Sequence, residues 1–228
     1  MFSNSSAGVF YSWFLPKAIV IFLIFPVLQY FTCLVACKLG DDSPEMQKRL
    51  TFNPLAHMDP LGTVLLLLSY IGWPKPLPIN AANFYKVKNR RTGRLFVALA
   101  GPAGLLVFAF FFLFAANISG RYFSAIVSGV FQVTAEFSIY ISLFSCIPIP
   151  GFAGEAIGEY FFPKFMNELA PYRTQICIGF ILLISFAPRI LTPIFVPIDK
   201  VAELIRWLLN GAASGILDLL TLPFRRYS

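Results

Sequence analysis

The sequence predicts an all-α polytopic membrane protein: about five transmembrane helices plus one re-entrant segment, in a single transmembrane domain over residues 1–228. Three observations carry this. Of 228 residues, 57% are hydrophobic and only 13% charged, about half the charged share of a soluble domain; the mean hydropathy is +0.73. The charges fall in clusters separated by long uncharged runs. The basic residues bunch in the loops, so the net charge of +7 reads as the cytoplasmic bias of a membrane protein and not as a nucleic-acid footprint.

The elements follow in order. A bilayer core needs about 20 apolar residues of helix. Between Lys17 and Lys38 lie 20 uncharged residues, so 17–38 is the first helix. The run Pro60–Pro74, PLGTVLLLLSYIGWP, has 15 residues between helix breakers. It is short for a span and reads as a re-entrant segment, 60–74, whose backbone must be covered by protein because lipid cannot satisfy it. A Pro-rich, basic loop fills 75–94. Between Arg94 and Arg121 lie 26 uncharged residues, giving a helix over 95–117. Helices over 125–147 and 174–195 follow, interrupted only by Glu136 and Arg189. The last, 199–222, is amphipathic and carries a Gly211–Gly215 small-residue spacing of the kind that lets helices approach.

Lys38, Lys48, Arg49, Lys75, Lys86, Lys88, Arg90, Arg91 and Arg94 flank the re-entrant segment, and Arg225 and Arg226 lie at the C-terminus. Placing all of them in the cytoplasm puts Asn117–Ser124 outside and the C-terminus inside. The first segment lacks a basic leader and a small-residue cleavage site, and reads as a retained helix. Cys33, Cys37, Cys146 and Cys177 all sit in apolar segments without a CxxC pair, which suits small buried residues better than zinc ligands.

Four strings point to one family. ACKLGDDSPEMQKRLTFNPLAHMDPLGTVLLLL, GWPKPLPIN, VALAGPAG (Val97–Gly104) and IPIPGFAG (Ile147–Gly154) occur in this order. The chain resembles, from about Pro26 to Gly211, the short bacterial form of the site-2 intramembrane metalloproteases, and the resemblance implies a site-2 protease-like helical bundle. In that family a helical His-Glu-x-x-His places two zinc ligands on one face with a glutamate as general base, and an aspartate from the later Pro segment is the third ligand. The matching positions here are Leu28, Gln29, Thr32 and Ala153. The family's asparagine positions fall on Leu105, Ser138 and Ser145.

Leucine and alanine bring no donor to a metal, threonine is a poor neutral ligand, and Gln29 is no base. A catalytic zinc site needs three good protein ligands. The sequence therefore predicts no cofactor and no enzyme: a pseudoprotease that serves as a structural or helix-binding subunit among other transmembrane proteins. Gln29 and Thr32, i and i+3 on one helix face, are either a polar groove for another helix, or a back-bonded threonine and a glutamine packed on a neighbouring backbone. Glu136, an acid within a span, either reaches water near the external end or bonds to a partner helix or to Gln29 and Thr32. His57, the one histidine, is expected to hydrogen-bond within its own turn. Glu155 and Glu159 read as a solvated short helix, and Asp41 and Asp42 as lying in water beyond Gly40. Lys86, Lys88, Arg90, Arg91 and Arg94 are candidates for contact with anionic lipid or an acidic partner.

Two alternatives are an active metalloprotease using Cys33, Cys37, His57 or Glu136, and a small-molecule carrier using the vacated cavity. The expected location is a bacterial inner membrane, or an organelle membrane of bacterial descent.

Overall fold

A computed structural model describes residues 14–69, 72–150, 154–186, 189 and 192–225. Among them the chain is helical throughout, with one isolated antiparallel bridge between Met58 and Pro74. Among the described residues three helices are long and apolar enough to cross a membrane: α1 (Leu15–Leu39), α5 (Arg90–Tyr122) and α6 (Ala125–Ser145). Short helices α2 (Ser43–Met46), α3 (Pro54–His57) and α4 (Pro60–Ser69) lie between the first two. After α6 come α7 (Glu155–Phe161), α8 (Pro163–Leu169), α9 (Arg173–Phe186) and α10 (Thr192–Arg225).

Pro26 shapes α1. A helical proline donates no hydrogen bond and crowds the carbonyl four residues back. The turn just before it, Val20–Ile24, is widened to π-helix, the local adjustment that relieves such a clash. Gly40, at φ +113°, ends the helix. Its left-handed conformation suits a residue without Cβ, and the Gly40 and Asp41 N–H groups satisfy the Cys37 and Ala36 carbonyls at 3.0 and 3.1 Å.

The Met58–Pro74 bridge closes the excursion that starts at α4, with the Lys75 N–H donating to His57 O at 2.8 Å. Asp59 caps α4 through Gly62 N–H at 2.8 Å. At the other end of α4, the buried Lys17 ammonium donates to Leu67 O at 2.6 Å, a cation placed where a helix exposes its last carbonyls. Residues 70 and 71 lie outside the described part.

Helices α5 and α6 form an antiparallel hairpin whose turn is capped by Ser124. Buried serines bind it: Ser128 Oγ donates to Ala116 O and Ser142 Oγ to Pro102 O, both at 2.9 Å. Helix α1 packs on α5 where Gly101 and Gly104 leave room. A Cβ at Gly101 would lie 2.7 Å from Leu28 O, and one at Gly104 would enter the Phe31 ring.

One expectation is corrected here. Of the helix read over 174–195, α9 is described over Arg173–Phe186, and residues 187, 188, 190 and 191 lie outside the described part. Helix α10 runs the other way from the expected course. Its later turns pair with the far end of α5: Asn210 with Asn117 at 3.0 Å, Asp218 with Arg121 at 2.7 Å. The end of α10 therefore lies opposite the end bearing Arg94 and Lys38, not beside it. Gly211 and Gly215 meet nothing within 4 Å, so their spacing supports no close helix contact within the described residues.

Candidate functional site

The centre of the site is Gln29, on α1 and 4% exposed. Its Nε2 donates to Lys75 O at 2.7 Å. Its Oε1 accepts from Arg49 Nη2 at 2.8 Å and faces His57 Nδ1 at 2.7 Å. Arg49 also donates from Nη2 to Lys75 O at 2.9 Å and from Nη1 to Ala56 O. His57 Nε2 lies 2.7 Å from Thr51 O. One carboxamide and one guanidinium thus join three segments far apart in sequence: α1, the 49–57 turn and the chain returning at Lys75.

Local sequence builds the turn. Asn53 caps α3 by accepting from Leu55 N–H at 3.0 Å, with Pro54 pre-set at the first helical position. This carries His57 inward, where it is fully buried. Burial, then the nearby Arg49 charge, hold the imidazole below its ordinary pKa against the opposing pull of the Thr51 carbonyl. A neutral imidazole has a single N–H, yet both ring nitrogens face oxygen atoms, so one proton serves Gln29 or Thr51 but not both at once.

Arg49 is 4% exposed and has no ion pair among the described residues. Its charge rests on neutral oxygens of Gln29, Ala56 and Lys75, and its Nε has no partner there. Burial lowers its pKa from the ordinary arginine value. The reading of Arg49 as a loop cation is thus corrected: it is an internal strut.

Asp41 is corrected likewise. It is fully buried and accepts from Ser43 Oγ (2.6 Å), Ser43 N–H (3.2 Å), Asn80 N–H (2.6 Å) and Asn83 Nδ2 (2.9 Å). Burial opposes its charge, and these four donors outweigh burial and hold its pKa below the ordinary carboxylate value. It ties the end of α1 to the loop before α5.

The remaining candidates are dispersed. Thr32 Oγ1 donates back to Leu28 O at 2.8 Å, and the Leu28–Thr32 face is covered by Gly101 of α5. Leu105 is in the apolar core, Ser138 and Ser145 bond to carbonyls of their own helix, and Ala153 lies outside the described residues. Glu136 pairs with Arg206 of α10 at 2.6 Å, eleven residues into α6 rather than near its external end, and has no bond to Gln29 or Thr32. With Tyr140, Ala202 and Glu203 that pair lines a polar cavity of about 210 Å³. Glu155 is buried and pairs with Arg173 at 2.6 Å, and Glu159 pairs with Arg94, so the solvated-helix reading is corrected.

The family's zinc does not fit these positions. Residues 28 and 153 bring hydrocarbon, the Thr32 hydroxyl is bonded to its own helix, and Gln29 is occupied. Among the described residues no three His, Cys, Asp or Glu side chains converge, and this includes Cys33, Cys37, His57 and Glu136.

Beside the polar cluster, an apolar groove of about 320 Å³ opens sideways between α1 and α5. Phe22, Pro26 and Phe31 form one wall, Val107 and Phe108 the other, with Gly104 between them. Phe52, from the 49–57 turn, lines it as well and stacks on Tyr30, with ring centroids 4.0 Å apart.

Over 161 residues the chain is 32% identical to the Bacillus subtilis (strain 168) protein named "Putative zinc metalloprotease YwhC", covering 65% of this chain and 72% of the relative. The chain belongs to this metalloprotease family. No family model and no solved structure matches it. The expectation that the chain is no enzyme is corrected by this relationship, since a relative named as a zinc metalloprotease points to an enzyme.

Proposed function

We propose that this member of the metalloprotease family binds a transmembrane segment of another membrane protein within a larger assembly. The groove between α1 and α5 carries the reading. It is lined by side chains with almost no polar surface, is open sideways, and has Gly104 between its walls. Such a groove suits the apolar face of a helix, and a small residue there lets a partner backbone approach closely.

The test is isolation of the full chain in mild detergent, followed by mass spectrometry, beside a Val107→Trp variant. Val107 is 54% exposed on the groove wall, so the substitution fills the groove and spares the core. The reading predicts a discrete membrane-protein partner that is depleted about tenfold or more in the variant. Equal recovery from both proteins, or lipid as the only groove occupant, overturns it.

The relative favours a second reading, peptide-bond hydrolysis. With the zinc positions occupied as they are, no step through a metal follows from these residues. Chelator-sensitive cleavage of the captured partner by the purified chain supports this reading; an intact partner after prolonged incubation, with and without added zinc, contradicts it.

A further inference from the structure

Helix α5 begins with an electrostatic conflict. A helix N-terminus carries the positive end of the helix dipole and favours acidic residues. The first turn of α5 has none, and instead starts Arg90-Arg91 after Lys86 and Lys88. All four side chains are exposed, and none forms an ion pair among the described residues. Arg94, one turn further in, is neutralised by Glu159. The exposed acids Asp42 and Glu45, in the loop that follows α1, pair with none of the four.

The fold fixes the depth of this patch. The Lys86 N–H donates to Leu39 O at 3.2 Å, so the patch stands at the end of α1, beside the exposed Lys38. The uncharged run of α5 starts at Leu95. Arg91 and Arg90 precede it by about 6 and 7.5 Å along the axis, and the headgroup layer on each side of a bilayer is about 5–7 Å thick. Tyr85 is 73% exposed, with Lys86 Nζ 5.3 Å from its ring centre, and tyrosine favours the interface. Four cations with no ion pair among the described residues, and an amphipathic ring, thus stand at the height of the headgroup layer.

We infer that Lys86, Lys88, Arg90 and Arg91 form a docking surface for anionic phospholipid headgroups at the α5 end of the bundle. Asn89 caps the first turn by accepting from the Arg91 N–H at 2.9 Å but brings no charge; phosphodiester oxygens supply the negative charge that the turn lacks, and arginine presents a fork matched to phosphate. The surface is separate from the apolar groove, so it stands or falls independently of the proposed function.

The test uses the purified full chain in bilayers containing spin-labelled phosphatidylglycerol or phosphatidylcholine, comparing the protein-bound fraction of each. The surface predicts preference for phosphatidylglycerol of about fivefold or more, the effect of at least one basic residue near an anionic surface, and weakening of that preference in high salt. Combined K86Q, K88Q, R90Q and R91Q removes it. All four positions are exposed, and an unchanged helical spectrum verifies the fold. Equal association of both lipids with the wild type, or preference that survives the fourfold variant, overturns the inference.

Discussion

Gln29 Nε2 donates to the Lys75 carbonyl at 2.7 Å, across 46 positions of sequence. This is a bond that an amide makes and a carboxylate does not, because an ionised carboxylate only accepts. Gln29→Glu keeps acceptors for Arg49 and His57 but loses the donor. The expected outcome is a melting temperature within a few degrees of wild type, with faster hydrogen exchange at the Lys75 amide, which is bonded to His57 O. Gln29→Leu removes every polar contact and leaves the Arg49 charge with fewer acceptors; it costs about 2–4 kcal/mol. Unchanged exchange in the glutamate variant contradicts the role given to this bond.

Arg49 supplies a planar fork to oxygens of Gln29, Ala56 and Lys75. Lysine brings a point charge on a flexible stem. Arg49→Lys is expected to lose about 1–3 kcal/mol, read as a lowered denaturation midpoint in detergent. A midpoint equal to wild type would show that the guanidinium geometry does not matter.

Asp41 and His57 both have depressed pKa values, for different reasons. Folded Asp41 resists protonation, so its contribution is present above its ordinary value of 3.8 and is lost as pH falls through the lower folded value. Folded His57 resists charging, so stability is full above its ordinary value of 6.5 and declines as pH falls below it. Thermal scans from pH 8 to pH 3 are expected to show a first loss below about pH 6.5, absent in His57→Asn, and a second below about pH 4, absent in Asp41→Asn. At neutral pH Asp41→Asn already costs about 1–3 kcal/mol.

Gly101 stands where α5 meets the Leu28–Thr32 face. A Cβ there lies 2.5 Å from Thr32 Oγ1 and 2.7 Å from Leu28 O. The second neighbour is backbone, so the helices must separate. Gly101→Ala is expected to cost about 1–3 kcal/mol, and adding Thr32→Ala restores only part, because Leu28 O remains. Stability equal to wild type would contradict the close packing of α1 on α5.

Much of the architecture was legible because it follows from one-dimensional patterns. The uncharged runs located α1, α5 and α6, glycine punctuation located the stop at Gly40, and the back-bonding of Thr32 follows from its own helix. What the sequence hid depends on distant partners. Arg49 looked like any loop cation because its acceptors come from α1, Ala56 and Lys75. Asp41 looked solvated because two of its donors are on Asn80 and Asn83. The matched position of Gln29 was readable, but its coupling to His57 was not. The course of α10 was hidden as well, because the pairings of Asn210 with Asn117 and Asp218 with Arg121 that fix it join residues more than 90 positions apart. The RLTFNPLAHMDP string held the one available signal for Arg49 and His57, as part of a motif rather than as scattered charges.

The most direct measurement on the central claim is site-specific photo-crosslinking in native membranes, with benzoylphenylalanine at Phe108 in the groove and, as control, at Trp207 on the outward face of α10, where it is 72% exposed. A helix-binding groove predicts a single discrete protein adduct from position 108 that disappears with Val107→Trp, and no discrete adduct from position 207. Only lipid adducts at position 108, or the same protein adducts from both positions, would contradict it.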